Sequence, residues 1–184
     1  MKIVIEPIVS VKEELAAARI RHEVFGREWR CKVTNPVYQV RGEALHLLAR
    51  LEPNGDPVAT LSVVETTGDI DLHSQFGLPF DHEARVARYT QLAVLKRYRG
   101  MNIPLALILE ARAKFVHPSG FEYTWLLFDA ARAGSTSLCK WLGFEPSAKT
   151  FDTEYGRMRV LVRAERQGRD VETAHRPEEM VVGR

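Results

Sequence analysis

The chain has 184 residues, 45% apolar and 27% charged, with a net charge of +2, which suits one soluble globular domain, alone or with a tail. That charge is too small to argue for nucleic acid, and no apolar run approaches the roughly 18 residues needed to span a membrane. Two cysteines, Cys31 and Cys139, make no disulfide framework, and the opening Met-Lys-Ile-Val-Ile-Glu lacks a signal-peptide core, so a reducing cytoplasm is the expected compartment.

Residues 3–9 predict a strand. Ser10-Val-Lys-Glu13 is a capping box, and Ala17, Ile20 and Val24 follow at helical spacing, giving a first helix to about residue 26. Residues 27–43 lack periodicity and predict a loop or irregular helix. Leu45 to Leu51 and Val58 to Glu65 predict strands joined by the turn-forming Glu52-Pro-Asn-Gly-Asp-Pro57. Residues 68–83 predict a long polar loop whose Phe76, Leu78 and Phe80 either shape a ligand site or form a small core that pins the loop.

A strand over about 85–94 leads into the most informative stretch, Gln91-Leu-Ala-Val-Leu-Lys-Arg-Tyr-Arg-Gly-Met-Asn-Ile-Pro104. An apolar strand end (Leu92, Ala93, Val94) runs through a short basic turn into an apolar helix over 103–117. Backbone N–H groups at a helix start are unpaired, and the helix dipole adds about half a positive charge there. Arg97 and Arg99 bring formal charge to the same place, so the turn suits an anion such as a pyrophosphate. Phe121 to Phe128 predicts a buried strand, Ser135 to Leu142 a short helix closed by Gly143, and Phe144 to Phe151 with Arg157 to Val162 a final strand pair. From Glu165 the chain is polar and reads as a tail over 165–184, after a domain over 1–164.

The segment 91–104 resembles the acyl-CoA-binding segment of the Gcn5-related N-acetyltransferase (GNAT) superfamily, where a Leu-Ala-Val strand leads to Arg/Gln-x-x-Gly-x-Gly/Ala. Leu92-Ala93-Val94 and Arg99 match it, while Asn102 and Pro104 occupy the two glycine positions. Asn accepts left-handed backbone and Pro a first helical turn, so the fold signal survives. Leu138-Cys-Lys-Trp-Leu-Gly-Phe144 is similar to the family's Tyr-x-x-x-Gly-Phe ending, and the order β-α-β-β-β-α-β-α-β-β is the family's succession over residues 3–163. The resemblance implies an α/β (α+β) fold with a mixed central sheet flanked by helices. It also implies an N-acyltransferase that moves an acyl group from a thioester to an amine by direct attack.

By the same resemblance, the co-substrate is an acyl-CoA, with acetyl or a longer chain, and no metal takes part. The donor would lie along Leu92, Ala93 and Val94, unless these form a plain core strand, with its phosphates at Arg97, Arg99, Gly100, Met101, Asn102 and Ile103. Cys139 stands where the family often has a tyrosine that protonates the leaving thiolate; a cysteine there is also a common core filler. For the base, Asp129 and Glu65 lie near strand ends, with His73, His82 and Glu83 in or beside the long loop. A strand-end carboxylate is more often a cap or a solvated charge.

Arg19-Ile-Arg-His-Glu-Val-Phe25, followed by Glu28-Trp29, is similar to the Arg-x-x-Val-Phe opening of acyl-homoserine-lactone (autoinducer) synthases and N-acyl amino acid synthases, and Ala44-Leu-His-Leu47 resembles their second strand. Those enzymes take acyl chains from acyl carrier protein, so such a protein is the second candidate donor, with Arg19, Arg21, Arg27 and Arg30 as its docking charges. The match departs where those enzymes carry two acidic residues, at Val37 and Val40 here, and Glu-x-x-Arg, at Arg88-Tyr-Thr-Gln91 here. Joint loss of a charged cluster points to another acceptor amine. The competing class is a catalytically silent fold that binds an acyl ligand or a protein. The acceptor, the chain length and the oligomeric state, a homodimer included, stay open.

Overall fold

The computed structural model describes residues 2–30, 43–78, 80–81, 83–129, 138–153 and 156–165. Strand β1 (Ile3–Pro7) stops short of the expected residue 9, and helix α1 (Val11–Arg21) follows it. Its start is the expected capping box: the Ser10 hydroxyl accepts from the Glu13 N–H while the Glu13 carboxylate accepts from the Ser10 N–H. The helix widens into a π turn over His22–Glu28. Strands β2 (Ala44–Leu51) and β3 (Asp56–Glu65) form the expected hairpin.

The expected long loop instead carries a helix, α2 (Ile70–Phe76). At two turns it is too short to show an apolar period in the sequence. It is held by burial of Phe76, whose ring packs on Trp125 and Phe151 with centroids 5.4 and 5.3 Å apart. Phe80 stacks on Tyr123 at 4.9 Å, so the aromatic insert is the small core that pins this segment.

Strand β4 (Val86–Val94) precedes helix α3 (Ile103–Ala111), which ends in a second π turn over Arg112–Val116. Strand β5 (Tyr123–Asp129) follows. Residues 138–141 are helical, and β6 (Glu145–Thr153) and β7 (Gly156–Ala164) close the chain. Among the described residues the strands form one sheet in the order β1-β2-β3-β4-β5-β7-β6. All neighbours are antiparallel except β4 and β5, whose parallel pairing requires the crossover that α3 provides. This is the mixed sheet expected from the sequence.

Strand alternation sorts the core onto two faces. Leu47, Leu61, Val63, Ala87 and Tyr89 meet α3 residues Ile103, Leu107 and Ile108 on one face, together with Cys139, Leu142 and Phe144. On the other face Leu48 and Ala93 meet Ala17, Ile20 and Val24 of α1, and Val86, Trp125 and Val160 meet Phe76 of α2.

One charged group is sealed into the α3 face. Glu165 lies past the end of β7, with its side chain 1% exposed. Its carboxylate accepts from the Thr124 hydroxyl at 2.6 Å and pairs with Arg112 at 3.2 Å and Arg163 at 3.4 Å, with His117 at 3.5 Å. The sequence assigned Glu165 to the tail; burial and these partners make it part of the packed body. Residues 166–184 lie outside the described residues.

Candidate active site

The parallel pairing of β4 with β5 runs from Val86 with Tyr123 to Tyr89 with Leu126 and goes no further, although both strands continue. From that point β4 follows β3 and β5 follows β7, leaving a wedge-shaped gap in the middle of the sheet. A bulge marks the place where β4 turns away. Its register on β3 passes from Thr90 opposite Ser62 to Ala93 opposite Thr60, so Gln91 and Leu92 oppose Leu61 alone. Gln91 takes a left-handed φ of 54°. The extra residue reverses the alternation: Ala87 and Tyr89 face α3 before the bulge, whereas Val94 faces it afterwards and Ala93 meets α1.

The bulged segment aims backbone groups into the gap. Leu95 donates its N–H to Val58 of β3 at 3.0 Å, and alternation then turns the N–H and C=O of Leu92 and Val94 toward the β5 side, where no strand pairs with them among the described residues. The Val94 carbonyl indeed accepts the Arg99 Nε–H from that side at 3.1 Å. An acyl carbonyl in the gap would meet preorganised N–H donors, the arrangement that stabilises an oxyanion.

Beyond the gap the chain makes a short 3-10 turn (Lys96–Tyr98) and enters α3. Asn102, at the helix N-cap, has a φ of 55°, the left-handed conformation for which asparagine is suited, and Pro104 sits in the first turn. Gly100 has a φ of 87° and open space around it. The unpaired first-turn N–H groups of α3 thus follow directly on a turn that carries Lys96, Arg97 and Arg99. The Arg97 guanidinium lies over the Tyr98 ring at 4.7 Å. Arg99 is already paired: its Nη2 meets the Glu28 carboxylate at 2.6 Å.

The other sequence candidates divide. Asp129 lies three residues past Leu126, across the gap from about the level of Leu92. Trp125 and Leu127 face α2, so alternation puts Asp129 on the α1/α2 face. Glu65 pairs with Ala87 at the closed end of β4 and is ion-paired to Arg85 at 3.3 Å, so the structure does not bring it to the gap. Cys139 is buried in the core of the α3 face, and burial pushes its thiol up to about 11. Such a thiol would protonate an ordinary thiolate, pKa about 8.5, against a gradient of about 3 kcal/mol. Its position reads as core packing. His73 is buried under Phe80 and Glu83 lies on the surface, while His82 and Cys31 lie outside the described residues.

A polar group that the sequence reading missed floors the α1 face beside the bulge. His46 Nδ1 is 2.8 Å from the Ser62 hydroxyl, which donates to the Gln91 side-chain oxygen at 3.0 Å. The same oxygen accepts from Arg21 Nη1 at 3.2 Å, and Arg21 Nη2 meets the Glu14 carboxylate at 2.9 Å. Arg21, the arginine of the Arg-x-x-Val-Phe motif, is only 3% exposed, which removes it from any docking surface. Glu14 supplies the counter-charge to Arg21. The available signal was a histidine and a serine, His46 and Ser62, at facing positions among the apolar residues of two adjacent strands. Burial holds His46 below its ordinary value; Arg21 adds to that effect and the nearby Glu14 opposes it. Among the described residues no group of three or more His, Cys, Asp or Glu could hold a metal ion, and no helix is long and apolar enough to cross a membrane.

No protein-family model and no curated protein sequence matches the chain. Solved structures do. The acyl-CoA N-acyltransferase from Pseudomonas aeruginosa superposes with a TM-score of 0.63 at 16% identity, over 89% of this chain and 99% of that one. FeeM, an N-acyl amino acid synthase from uncultured soil microbes, gives 0.64 at 12% identity, over 89% and 91%. A chain of the NatC complex bound to Gag peptide and CoA gives 0.64 at 16%, over 90% and 100%. The chain has the GNAT acyl-CoA N-acyltransferase fold, as its sequence resemblance implied.

Proposed function

We propose that this protein is an N-acyltransferase that takes an acyl group from an acyl-CoA in the gap between β4 and β5 and hands it to an amine arriving on the α1 face. The observation that carries this reading is the parting of β4 from β5 at Tyr89 and Leu126, with a bulge at Gln91 and a basic helix start directly beyond. A plain core strand has no use for either irregularity. The pantetheine arm takes the place of the missing strand partner along Leu92, Ala93 and Val94. The phosphates meet the N–H groups and cations of Arg97, Arg99, Gly100, Met101, Asn102 and Ile103. The Leu92 and Val94 N–H groups polarise the acyl carbonyl, the amine attacks it directly, and the carbon–sulfur bond breaks with its electron pair on sulfur. Direct attack needs no acyl-enzyme.

The likeness to FeeM makes an amino-acid-like amine one class of acceptor to try first. A carrier-protein donor would dock on Arg19, Arg27 and Arg30, which are exposed. The silent-binder reading draws support from Cys139 at the tyrosine position and from the prior engagement of Arg99 by Glu28. Thermal unfolding with CoA, acetyl-CoA and a long-chain acyl-CoA, followed by thiol release over an amine panel, separates these readings. A ligand at about 100 times its dissociation constant adds about 2.7 kcal/mol. Stabilisation by CoA with thiol release supports the enzyme; stabilisation without release from any amine supports the binder. No shift with any of the three refutes the donor site.

A further inference from the structure

The hydrogen bonds beside the bulge determine which nitrogen of His46 carries the proton. A hydroxyl has one hydrogen, and that of Ser62 is committed to the Gln91 oxygen at 3.0 Å. Gln91 Oε1 is fixed as the acceptor, because Arg21, which only donates, lies 3.2 Å from the same atom. The 2.8 Å contact between Ser62 Oγ and His46 Nδ1 must then have the imidazole as donor. Nδ1 holds the hydrogen and Nε2 is left with a lone pair. The chain Glu14–Arg21–Gln91–Ser62–His46 thus runs from a carboxylate at the surface to an imidazole whose outer nitrogen is a base.

The network is placed to serve the gap. Gln91 is the bulge residue itself, Ser62 faces Thr90 on the neighbouring strand, and His46 faces Ser62 one strand further on. All three lie on the face from which an amine would approach. Two strand spacings separate β2 from β4, about 10 Å, so a proton leaving an amine above Gln91 reaches His46 through water rather than by contact.

We propose that His46 Nε2 is the terminal acceptor for the proton released by the attacking amine, with Ser62 and Gln91 as positioning residues that hold its tautomer. This deepens the N-acyltransferase reading and rests on it. The amine nitrogen forms its bond to the acyl carbon, the carbon–sulfur bond breaks, and the nitrogen's proton passes to Nε2. The imidazolium then returns the proton, through solvent, to the departed thiolate, so the products are an amide and a free thiol. Asp129, across the gap, is a weaker match for this role, because carboxylates as a class draw a proton from an amine less effectively than a neutral imidazole. The charged groups around His46 are Glu14 and Arg21 of α1, and burial outweighs the attraction of Glu14, so the ring is neutral at pH 7.

The test starts with the unmodified chain. Long-range nitrogen–proton NMR of histidine-labelled protein is expected to show His46 as the Nδ1–H tautomer, and Ser62→Ala is expected to release it to the other form. His46 found as Nε2–H overturns the proposal, whatever the acceptor amine is. His46→Asn keeps an N–H donor for Ser62 and removes the basic nitrogen, so it spares the network. With acetyl-CoA and the best amine of a primary-amine panel, kcat of this variant is expected to fall about 100-fold or more, the usual scale of general base catalysis. The acid limb of the wild-type pH profile should vanish with it, while the thermal shift given by acetyl-CoA stays unchanged. A variant that keeps both its rate and its acid limb overturns the role of His46. Absence of an acetyl-CoA shift in the wild type instead overturns the donor site, a distinct failure.

Discussion

Glu165→Gln removes one negative charge from the sealed end of the sheet while keeping the side chain's size. Glu165 is 1% exposed, and the side chains of Arg112 and Arg163 are each 11% exposed. Both guanidiniums lose their counter-charge and neither reaches water freely. Stranding a buried ion in this way costs about 3–5 kcal/mol. The amide still accepts from Thr124, Arg163 keeps its bond to the Leu142 carbonyl, and Arg112 keeps its contact with His117. Those remaining bonds argue for the lower part of the range. At about 2–4 °C per kcal/mol for a domain of this size, the midpoint should fall by about 10 °C. Calorimetry on the wild type, the Glu165→Gln and Arg112→Met variants and the double variant completes a cycle. The double variant should lie more than about 1 kcal/mol short of the sum, since the partners touch. A fall below about 3 °C for Glu165→Gln, or strict additivity, would refute the idea that this carboxylate neutralises the cluster.

Glu28→Gln releases Arg99 from a 2.6 Å ion pair at the mouth of the gap, so CoA affinity measured by titration calorimetry should rise up to about fivefold, the scale of a partly exposed pair; unchanged or weaker binding would mean that Arg99 does not meet the phosphates. Tyr89→Phe deletes a buried hydroxyl without a hydrogen-bond partner among the described residues, so stability in urea should hold or rise by about 1 kcal/mol, and a clear loss would reveal a partner. Cys139, with its thiol at about 11, should resist thiol reagents at pH 8 in the folded protein, and Cys139→Ala should keep its turnover; a large loss of kcat would restore it as the acid. His46 and His73 are both held below their ordinary 6.5 by burial, so the unfolded chain takes up protons at those positions before the folded chain does. Their stabilisation is complete above pH 6.5 and is lost as pH falls through the lower folded values. Glu13, held below 4.5 chiefly by the Val9 N–H, acts in the same direction only at more acid pH. Unfolding midpoints should therefore fall between about pH 6.5 and 5, and flat midpoints over that range would contradict the burial of both rings.

Most of the fold was legible because its signals are local. Ser10 and Glu13 form a capping box within four residues, the turn at 52–57 announces a hairpin, and the apolar runs of β3 and β5 mark buried strands. Two misreadings share a cause. Helix α2 is a two-turn element held by Phe76 against Trp125, forty-nine residues on, so its stability comes from contacts that no local pattern records. Glu165 read as tail because a single charged residue after Ala164 looks like any solvated end. Its burial depends on Arg112, Arg163 and Thr124, which converge only after α3, β5 and β7 have packed.

The elements of the proposed donor side were legible for the same reason as the hairpin: strand end, basic turn and helix start are contiguous, and residues 91–104 carry them whole. The acceptor side was not. Its polar floor draws one residue from β2, one from β3, one from β4 and two from α1, and the pairing register alone brings His46, Ser62 and Gln91 into line. Arg21 is buried, and a lone guanidinium there would be strongly destabilising. Glu14, two helical turns earlier on α1, supplies the counter-charge at Nη2, and the uncharged Gln91 accepts from Nη1. Here Arg21 fixes the Gln91 oxygen as an acceptor, Gln91 orients Ser62, and Ser62 selects the basic nitrogen of His46. On the proposed reading, the part of Arg21 is to set the tautomer of a histidine three hydrogen bonds away.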